Sequence, residues 1–264
     1  IKPLVSKQNH RRFPFLMISG TYGSGKTAFI QEIVWPFCGI NDSTNFSCSS
    51  TKLPIERTMS CSSSIPVWFD EFKNDMGQSK MESFERLLRR AYGCEEETRG
   101  RPDQSTYTIT FRSPVIVTGE SEPQDSALRE RFVPVHMERY SLNDLTKRAY
   151  QSLAKMPLSS LGFDLISWII NCDDLEDRIE RYRAAHSAAM KAYDIKCSER
   201  IRYNLSIVGA GLNLYKDYCY HRGVDFSFDV KAIYESMVGR AFNGVEGRIA
   251  SEMDRFLMAV YGMI

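Results

Sequence analysis

The residues of this sequence with the clearest chemical potential form a glycine-rich segment near the amino end. The segment runs Gly-Thr-Tyr-Gly-Ser-Gly-Lys-Thr and fits the pattern G-x-x-x-x-G-K-[ST] at every fixed position. Glycines let the backbone wrap closely around phosphate groups with its N–H groups pointing inward. We therefore expect a binding site for nucleotide phosphates made of these residues: Gly20, Thr21, Tyr22, Gly23, Ser24, Gly25, Lys26 and Thr27.

The segment has the neighbours that a phosphate-binding loop requires. The apolar run 15–18 before it predicts a buried strand, and residues 28–35 after it have a helix-compatible pattern that stops at Pro36. A helix N-terminus adds partial positive charge at the phosphates. Lys26 can reach the β- and γ-phosphates, and the Thr27 hydroxyl can bind Mg²⁺. The alternative, a turn that carries Gly-Lys-Thr by chance, is disfavoured by this context.

A second apolar run, 65–72, ends in two adjacent carboxylates, Asp70 and Glu71. We expect it to be a strand that lies beside the first one, with Asp70 as the second protein ligand of Mg²⁺. Glu71 would then polarise the water that attacks the γ-phosphate. Many strands end in solvated acidic residues, so this interpretation depends on the glycine-rich loop being present as well.

Two later segments offer further residues for the same chemistry. The strand-like run 114–120 carries Thr118, which we expect to contact the γ-phosphate. The run 125–132 carries Arg131 and Arg129, which could stabilise transition-state charge at the site of a neighbouring molecule, with Arg131 as first choice. The alternative for both arginines is a salt-bridged helix end at the surface.

Residues 94–112 combine turn chemistry with a β-rich stretch and predict a β-hairpin. We expect its tip to carry Arg99 and Arg101, which could follow a nucleic-acid backbone. A structural hairpin with a solvated tip explains the same residues, and the sequence leaves both interpretations open.

The remaining segments are assigned by their periodicity. Residues 37–40 predict a short strand, 41–50 a loop and 74–93 an amphipathic helix. From Ser141, a candidate N-cap, the chain is predicted to be helical. The other predicted helices are 52–62, 142–155, 161–170, 174–193, 198–218, 229–242 and 245–263.

Composition limits the partners and the compartment. The 264 residues carry a formal net charge of +1, so any contact with nucleic acid must come from a local patch. Seven scattered cysteines without a C-x-x-C motif predict reduced thiols and an intracellular, cytoplasmic protein, with a nuclear or viral origin left open. No apolar run predicts a membrane span. The start at Ile1 suggests a fragment of a longer protein.

Together these motifs resemble those of AAA+ P-loop ATPases. Residues 20–27 look like Walker A, 67–71 like Walker B, Thr118 like sensor 1, and 127–132 like the arginine-finger region. The hairpin resembles the insert before sensor 1 in superfamily 3 and MCM-type helicases, and the stretch from 65 to 120 is similar to helicase modules attached to primases of phages, plasmids and mobile elements. Superfamily 3 proteins usually carry asparagine where this chain has Thr118, and no winged-helix motif is recognisable.

The resemblance implies an α/β fold with a mostly parallel sheet flanked by helices in residues 1–140, followed by an all-helical, lid-like subdomain in 141–264. It implies ATP and Mg²⁺ as ligands, and a homo-oligomer, most typically a hexameric ring. It also implies single-stranded or forked DNA as a partner and DNA unwinding during replication. A primase domain in the same full-length chain would fit. Two alternatives stay open: a nucleotide-switched regulatory or defence ATPase, and an AAA+ remodeller of proteins.

Overall fold

A computed structural model of the chain describes residues 12–41, 45–48, 50, 52–137 and 144–238. Its central feature is a five-stranded parallel sheet, beside which a separate two-stranded antiparallel hairpin lies against the core. Numbered in chain order, the described strands are β1 (Phe15–Ser19), β2 (Phe46–Ser47), β3 (Val67–Phe72), β4 (Glu96–Gly100), β5 (Thr106–Thr110), β6 (Val115–Gly119) and β7 (Phe132–His136).

The sheet order is β2-β3-β6-β1-β7, with the hairpin β4–β5 inserted in sequence before β6. The central strands are nearly continuous apolar runs because helices cover both faces of a parallel sheet. Strand β6 pairs with β1 on one side and with β3 on the other. The prediction that the acidic strand lies beside the first strand is therefore wrong, since β6 separates the two.

The described helices flank the sheet and continue past it. The first, α1, comprises the consecutive segments Lys26–Phe29, Ile30–Val34 and Trp35–Phe37, of which the middle one is π-helical. The others are α2 (Lys52–Cys61), α3 (Gln78–Tyr92), α4 (Ser126–Arg129), α5 (Asp144–Ala154), α6 (Leu158–Ile170), α7 (Leu175–Ala192), α8 (Glu199–His221) and α9 (230–238).

The end of α1 differs from the prediction of a short strand at 37–40. The helix continues through Pro36 to Phe37, and Gly39 ends it with a positive φ of 73°. Proline in the last turn removes only one backbone donor, and glycine adopts this left-handed conformation without strain. The second strand is instead the two-residue β2, inside a stretch predicted to be a loop.

The helices after the sheet agree closely with the predicted pattern. Ser198 caps α8, because its Oγ accepts a hydrogen bond from the Ile201 amide at 3.3 Å. The cap at Ser141, the domain boundary at 140–141 and the helix 245–263 lie outside the described residues. Within the described residues, no single helix is long and apolar enough to cross a membrane; α5 and α6 together pass by length and composition but are bent by 63°.

Contacts of α8 and of α6 attach the helical region to the sheet layer. Asn204 of α8 accepts a hydrogen bond from the Tyr92 hydroxyl at 2.9 Å and donates to the Glu130 carbonyl at 2.8 Å. Helix α6 packs against the end of α1, where Gly162 meets the carbonyl of Phe37. The helix that follows the glycine-rich loop is therefore held between the sheet and α6.

The tight approach at Gly162 gives a testable stability effect. A Cβ added there would lie 1.9 Å from the Phe37 carbonyl oxygen, so we expect Gly162→Ala to lower the free energy of unfolding by about 1–3 kcal/mol. Urea unfolding measures this change, with Gly100→Ala as control because its added Cβ meets nothing within 4 Å. A gain in stability, as alanine usually gives inside a helix, would contradict this packing.

Candidate functional site

The glycine-rich loop connects β1 to α1 and has the backbone shape of a phosphate cradle. Gly23 and Gly25 have positive φ values of 75° and 89°, and the helix begins at the next residue, Lys26. A side chain on Gly20 would place Cβ 2.2 Å from the Met137 carbonyl oxygen. Backbone conformation therefore requires glycine at positions 23 and 25, and close packing requires glycine at position 20.

Lys26 holds the loop together from within. Its ammonium group donates hydrogen bonds to the carbonyl oxygens of Gly20 at 2.7 Å and Thr21 at 2.9 Å, and to the Ser24 hydroxyl at 3.3 Å. A phosphate in the loop would offer this ammonium stronger, charged acceptors than neutral carbonyls. Lys26 is thus placed to exchange loop contacts for phosphate contacts.

The acidic end of β3 has an irregular backbone. The pairing of β3 with β6 shifts register between Phe69 and Phe72, and Glu71 has a positive φ of 61°. Such a conformation costs a non-glycine residue free energy, and it is typical of functional sites. The bulge lets the neighbouring side chains of Asp70 and Glu71 both line the same cleft, although successive residues of a regular strand point to opposite faces.

Gly119 makes this bulge possible. A Cβ at Gly119 would lie 2.4 Å from the carbonyl oxygen of Phe72, the residue that follows the bulge. The last residue of β6 therefore has to be glycine for β3 to approach it in this irregular register.

Thr118 lies behind Asp70, fully buried. Its hydroxyl accepts a hydrogen bond from Trp68 Nε1 at 2.7 Å and donates one to Asp70 Oδ1 at 2.5 Å. Thr118 is not among the residues that line the cleft, and its contact with a γ-phosphate stays a prediction. Because β6 lies beside β3, the Thr118 hydroxyl comes within hydrogen-bonding distance of Asp70.

The loop and the strand ends enclose one cleft of about 430 Å³. It brings together residues that the sequence predicted separately, because the carboxyl ends of parallel strands meet at one edge of the sheet. A hydroxyl and a carboxylate are oxygen ligands of the kind that Mg²⁺ prefers, and they leave other positions for phosphates and water, so Thr27 and Asp70 fit this ion. The cleft is lined by residues 22–28, Asp70, Glu71, Lys73, Gly119 and Glu120.

Among the lining residues that sequence reasoning missed, two are charged, Lys73 and Glu120. Both are exposed in the cleft and follow directly on the strand ends β3 and β6. The shared edge of parallel strands could have indicated Glu120, since it comes one residue after the buried strand. No pattern in the sequence marks Lys73, because the bulge that turns the chain there depends on the pairing with β6.

The predicted finger residues Arg129 and Arg131 lie at the end of α4 and just beyond it, and neither is among the residues that line the cleft. Arg129 donates to the Pro123 carbonyl at 3.0 and 3.2 Å. Arg131 donates to the Ala127 carbonyl, and its guanidinium lies 5.4 Å from the centre of the Tyr92 ring. Burial, followed by the charge of Arg200, lowers the pKa of Arg131 from its ordinary value.

Arg200 and Arg202, in the first turn of α8, are both held by carboxylates. Arg200 pairs with Glu130 at 2.7 Å, and Arg202 pairs with Glu199. The bond to Glu130 ties the first turn of α8 to the segment that carries Arg129 and Arg131. These pairs favour the interpretation of both residues as parts of the surface structure.

The hairpin forms as predicted, but its two arginines have different surroundings. Arg101 lies at the exposed tip, where its amide donates to the Ser105 carbonyl at 2.7 Å and its guanidinium lies 5.3 Å from the centre of the Tyr107 ring. Arg99 lies within β4 and is paired with Glu97 and with Glu56 of α2, a carboxylate with no exposed surface. The expectation of Arg99 at the tip is therefore wrong, because this buried carboxylate holds its side chain against the core.

The strand order, the glycine-rich loop after β1 and the acidic end of β3 define an α/β P-loop NTPase fold with a helical region after the sheet. No protein-family model matches this chain, and no curated protein matches it. Among solved structures it is similar to one described as "SCCmec type IV Cch - active helicase", with a TM-score of 0.59 and 16% sequence identity. The match covers 92% of this chain and 45% of that chain, so this chain spans less than half the length of that structure.

Proposed function

We propose that this chain is an ATP-hydrolysing, AAA+-like motor module that works on DNA as a helicase. The observation that carries the proposal is one cleft that collects Lys26, Thr27, Asp70 and Glu71 at the carboxyl edge of a parallel sheet. A phosphate loop without carboxylates would serve binding alone. The addition of a metal-binding carboxylate and a second, exposed one supports hydrolysis.

Each residue has a role that follows from its position. Lys26 and the amides of the loop bind the phosphates, while Thr27 and Asp70 hold Mg²⁺. When bound, Mg²⁺ neutralises charge on the β- and γ-phosphate oxygens. Glu71 orients and deprotonates the attacking water. Lys73 adds a second positive charge to the same cleft.

An arginine finger that acts on a neighbouring chain requires an oligomer. Arg131 and Arg129 do not line the cleft of their own chain, so they would act on a neighbouring copy. A ring, most typically a hexamer, gives every cleft such a neighbour. A primase domain elsewhere in the full-length protein would be consistent with this arrangement.

Work on DNA is proposed from two features. The similar solved structure is described as a helicase, and the hairpin of this chain presents Arg101 at an exposed tip. A cationic tip that stacks on an aromatic ring suits contact with a single strand. Arg99 is left out of this contact, because its side chain pairs with Glu56 and Glu97.

The hairpin tip gives the test that separates a DNA motor from the alternatives. We expect single-stranded DNA to stimulate ATP hydrolysis. Arg101→Ala is expected to raise the DNA concentration for half-maximal stimulation on the order of tenfold, because every subunit of the ring loses one positive charge that would contact the DNA. ATPase assays across DNA concentrations measure this. The control is Arg86→Ala, an exposed arginine on α3.

Arg99→Ala belongs in the same series as a stability probe. Removal of the partner of the buried Glu56 is expected to lower the free energy of unfolding by about 2–3 kcal/mol. Arg101→Ala is expected to leave stability unchanged.

The DNA test can also contradict the proposal. If DNA does not change the rate of ATP hydrolysis by the wild-type protein, the chain is still an ATPase but the helicase function is contradicted. That result would favour a nucleotide switch or a protein remodeller.

A further inference from the structure

We propose that Trp68 and Thr118 are positioning residues for the metal-binding carboxylate of Asp70, and that Thr118 serves this carboxylate rather than the γ-phosphate. The inference rests on the proposed function of the cleft and deepens it. It starts from a chain of two hydrogen bonds, one buried and one partly buried, that joins the three side chains.

The direction of both bonds follows from the donors available. An indole N–H can only donate, so Thr118 Oγ1 must accept from Trp68. The hydroxyl then has one proton to give, and two acceptors lie near it: Asp70 Oδ1 at 2.5 Å and the Phe69 carbonyl at 3.4 Å. The shorter bond to a charged acceptor takes the proton. Trp68 thus fixes the hydroxyl in the rotamer that points at Asp70.

The two oxygens of Asp70 are used differently. Oδ1 accepts from the Thr118 hydroxyl and also from the Glu71 amide at 2.9 Å. Among the described residues, no protein donor bonds to Oδ2, the other oxygen. The carboxylate is therefore locked through one oxygen, and the other is left for Mg²⁺ or for a water bound to it.

The surroundings keep this arrangement rigid. Trp68 is 1% exposed and Thr118 has no exposed surface, so water cannot compete for the hydroxyl. The Trp68 ring also meets the Trp35 ring edge to face, with centroids 5.9 Å apart. Trp35 belongs to α1, the helix that begins at Lys26. One buried aromatic pair thus supports both the metal carboxylate and the helix behind the phosphate loop.

Three substitutions separate positioning from simple packing. Thr118→Val keeps the volume and removes the hydroxyl, whereas Thr118→Ser keeps the hydroxyl. Trp68→Phe keeps an aromatic ring and removes the donor that fixes the hydroxyl, together with part of the ring that packs against Trp35. Tyr92→Phe is the matched control, because it removes another buried hydrogen bond, to Asn204, that does not involve Asp70.

The measured quantity is the Mg²⁺ requirement, defined as the Mg²⁺ concentration that gives half of the maximal signal. It is determined for each variant in two assays, ATP hydrolysis at saturating ATP and equilibrium binding of a fluorescent ATP analogue. We expect Thr118→Val to raise the Mg²⁺ concentration for half-maximal signal in both by about 10–100-fold, the usual cost of losing a partner of a metal ligand. Trp68→Phe is expected to shift both in the same direction by a smaller factor. Thr118→Ser and Tyr92→Phe should stay within about threefold of the wild type.

Several outcomes would overturn the inference. A Thr118→Val protein with the wild-type Mg²⁺ requirement would exclude the role for Thr118. A lower maximal rate that excess Mg²⁺ does not restore, with unchanged Mg²⁺-dependent binding, would assign the hydroxyl to the γ-phosphate. If Thr118→Val does not fold, the Trp68→Phe protein decides. A wild-type Mg²⁺ requirement in that protein would exclude a positioning role for the two hydrogen bonds. A wild-type protein that does not bind the analogue would instead contradict the proposed function itself.

Discussion

Glu71→Gln is expected to stop ATP hydrolysis and leave ATP bound. A general base contributes about 10²–10⁴-fold to a rate, so turnover should fall by that factor. Glutamine has nearly the same size and keeps one acceptor, but it cannot take a proton from water. Nucleotide affinity should stay within a few-fold, since the loop around Lys26 and the carboxylate of Asp70 are untouched.

The backbone at this position makes the prediction sharper. Glu71 holds a positive φ of 61° in a bulge, a conformation that costs a non-glycine residue free energy and that often occurs at functional sites. Its side chain is exposed in the cleft, next to a carboxylate that is tied down by two hydrogen bonds. The two carboxylates therefore suit different roles. Asp70 is held in place, as a metal ligand needs to be, and Glu71 is accessible to water, as a general base needs to be.

Phosphate release and nucleotide binding, measured on the same preparation, check this expectation. Glu96→Gln is a suitable control, because Glu96 is an exposed carboxylate on the hairpin strand β4. A Glu71→Gln protein that hydrolyses ATP at a rate near the wild type would show that another group, such as Glu120 in the same cleft, activates the water.

Lys26→Ala is expected to remove both binding and turnover. The ammonium group is the one charged donor inside the loop, and loss of such a donor costs on the order of 10²–10³ in rate. It also donates to the carbonyl oxygens of Gly20 and Thr21, so its removal loosens the loop itself. Binding should therefore weaken together with hydrolysis, in contrast to the effect of Glu71→Gln.

Titration with a fluorescent ATP analogue distinguishes the two variants. Lys80→Ala controls for loss of a positive charge, since Lys80 lies exposed on α3. Comparison with Lys73→Ala then measures the second cation of the cleft, which should have the smaller effect because it lies outside the loop. Full nucleotide binding by Lys26→Ala would contradict the assignment of the loop to phosphates.

The sequence by itself determined the parts of the site that depend on neighbouring residues. The phosphate loop from Gly20 to Thr27 is recognisable because fixed glycine and lysine spacing is needed for one local backbone shape. The strands β3 and β6 are recognisable because a parallel strand buried on both faces is a continuous apolar run. The hairpin and the helices after the sheet follow from turn residues and periodicity, which are also local.

Only the tertiary structure decided which side chains meet across the sheet. The hydrogen bonds of Thr118 join residues 48 and 50 positions apart, and the ion pair of Arg99 with Glu56 spans 43 positions. Whether a threonine at a strand end faces a phosphate or a carboxylate depends on which strand lies beside it, and a single sequence contains no signal for that order. The same reason explains why Arg99, the arginine expected at the hairpin tip, is held against the core. Its partner is a buried carboxylate on α2, and two elements, β3 and α3, separate that helix from the hairpin in the chain.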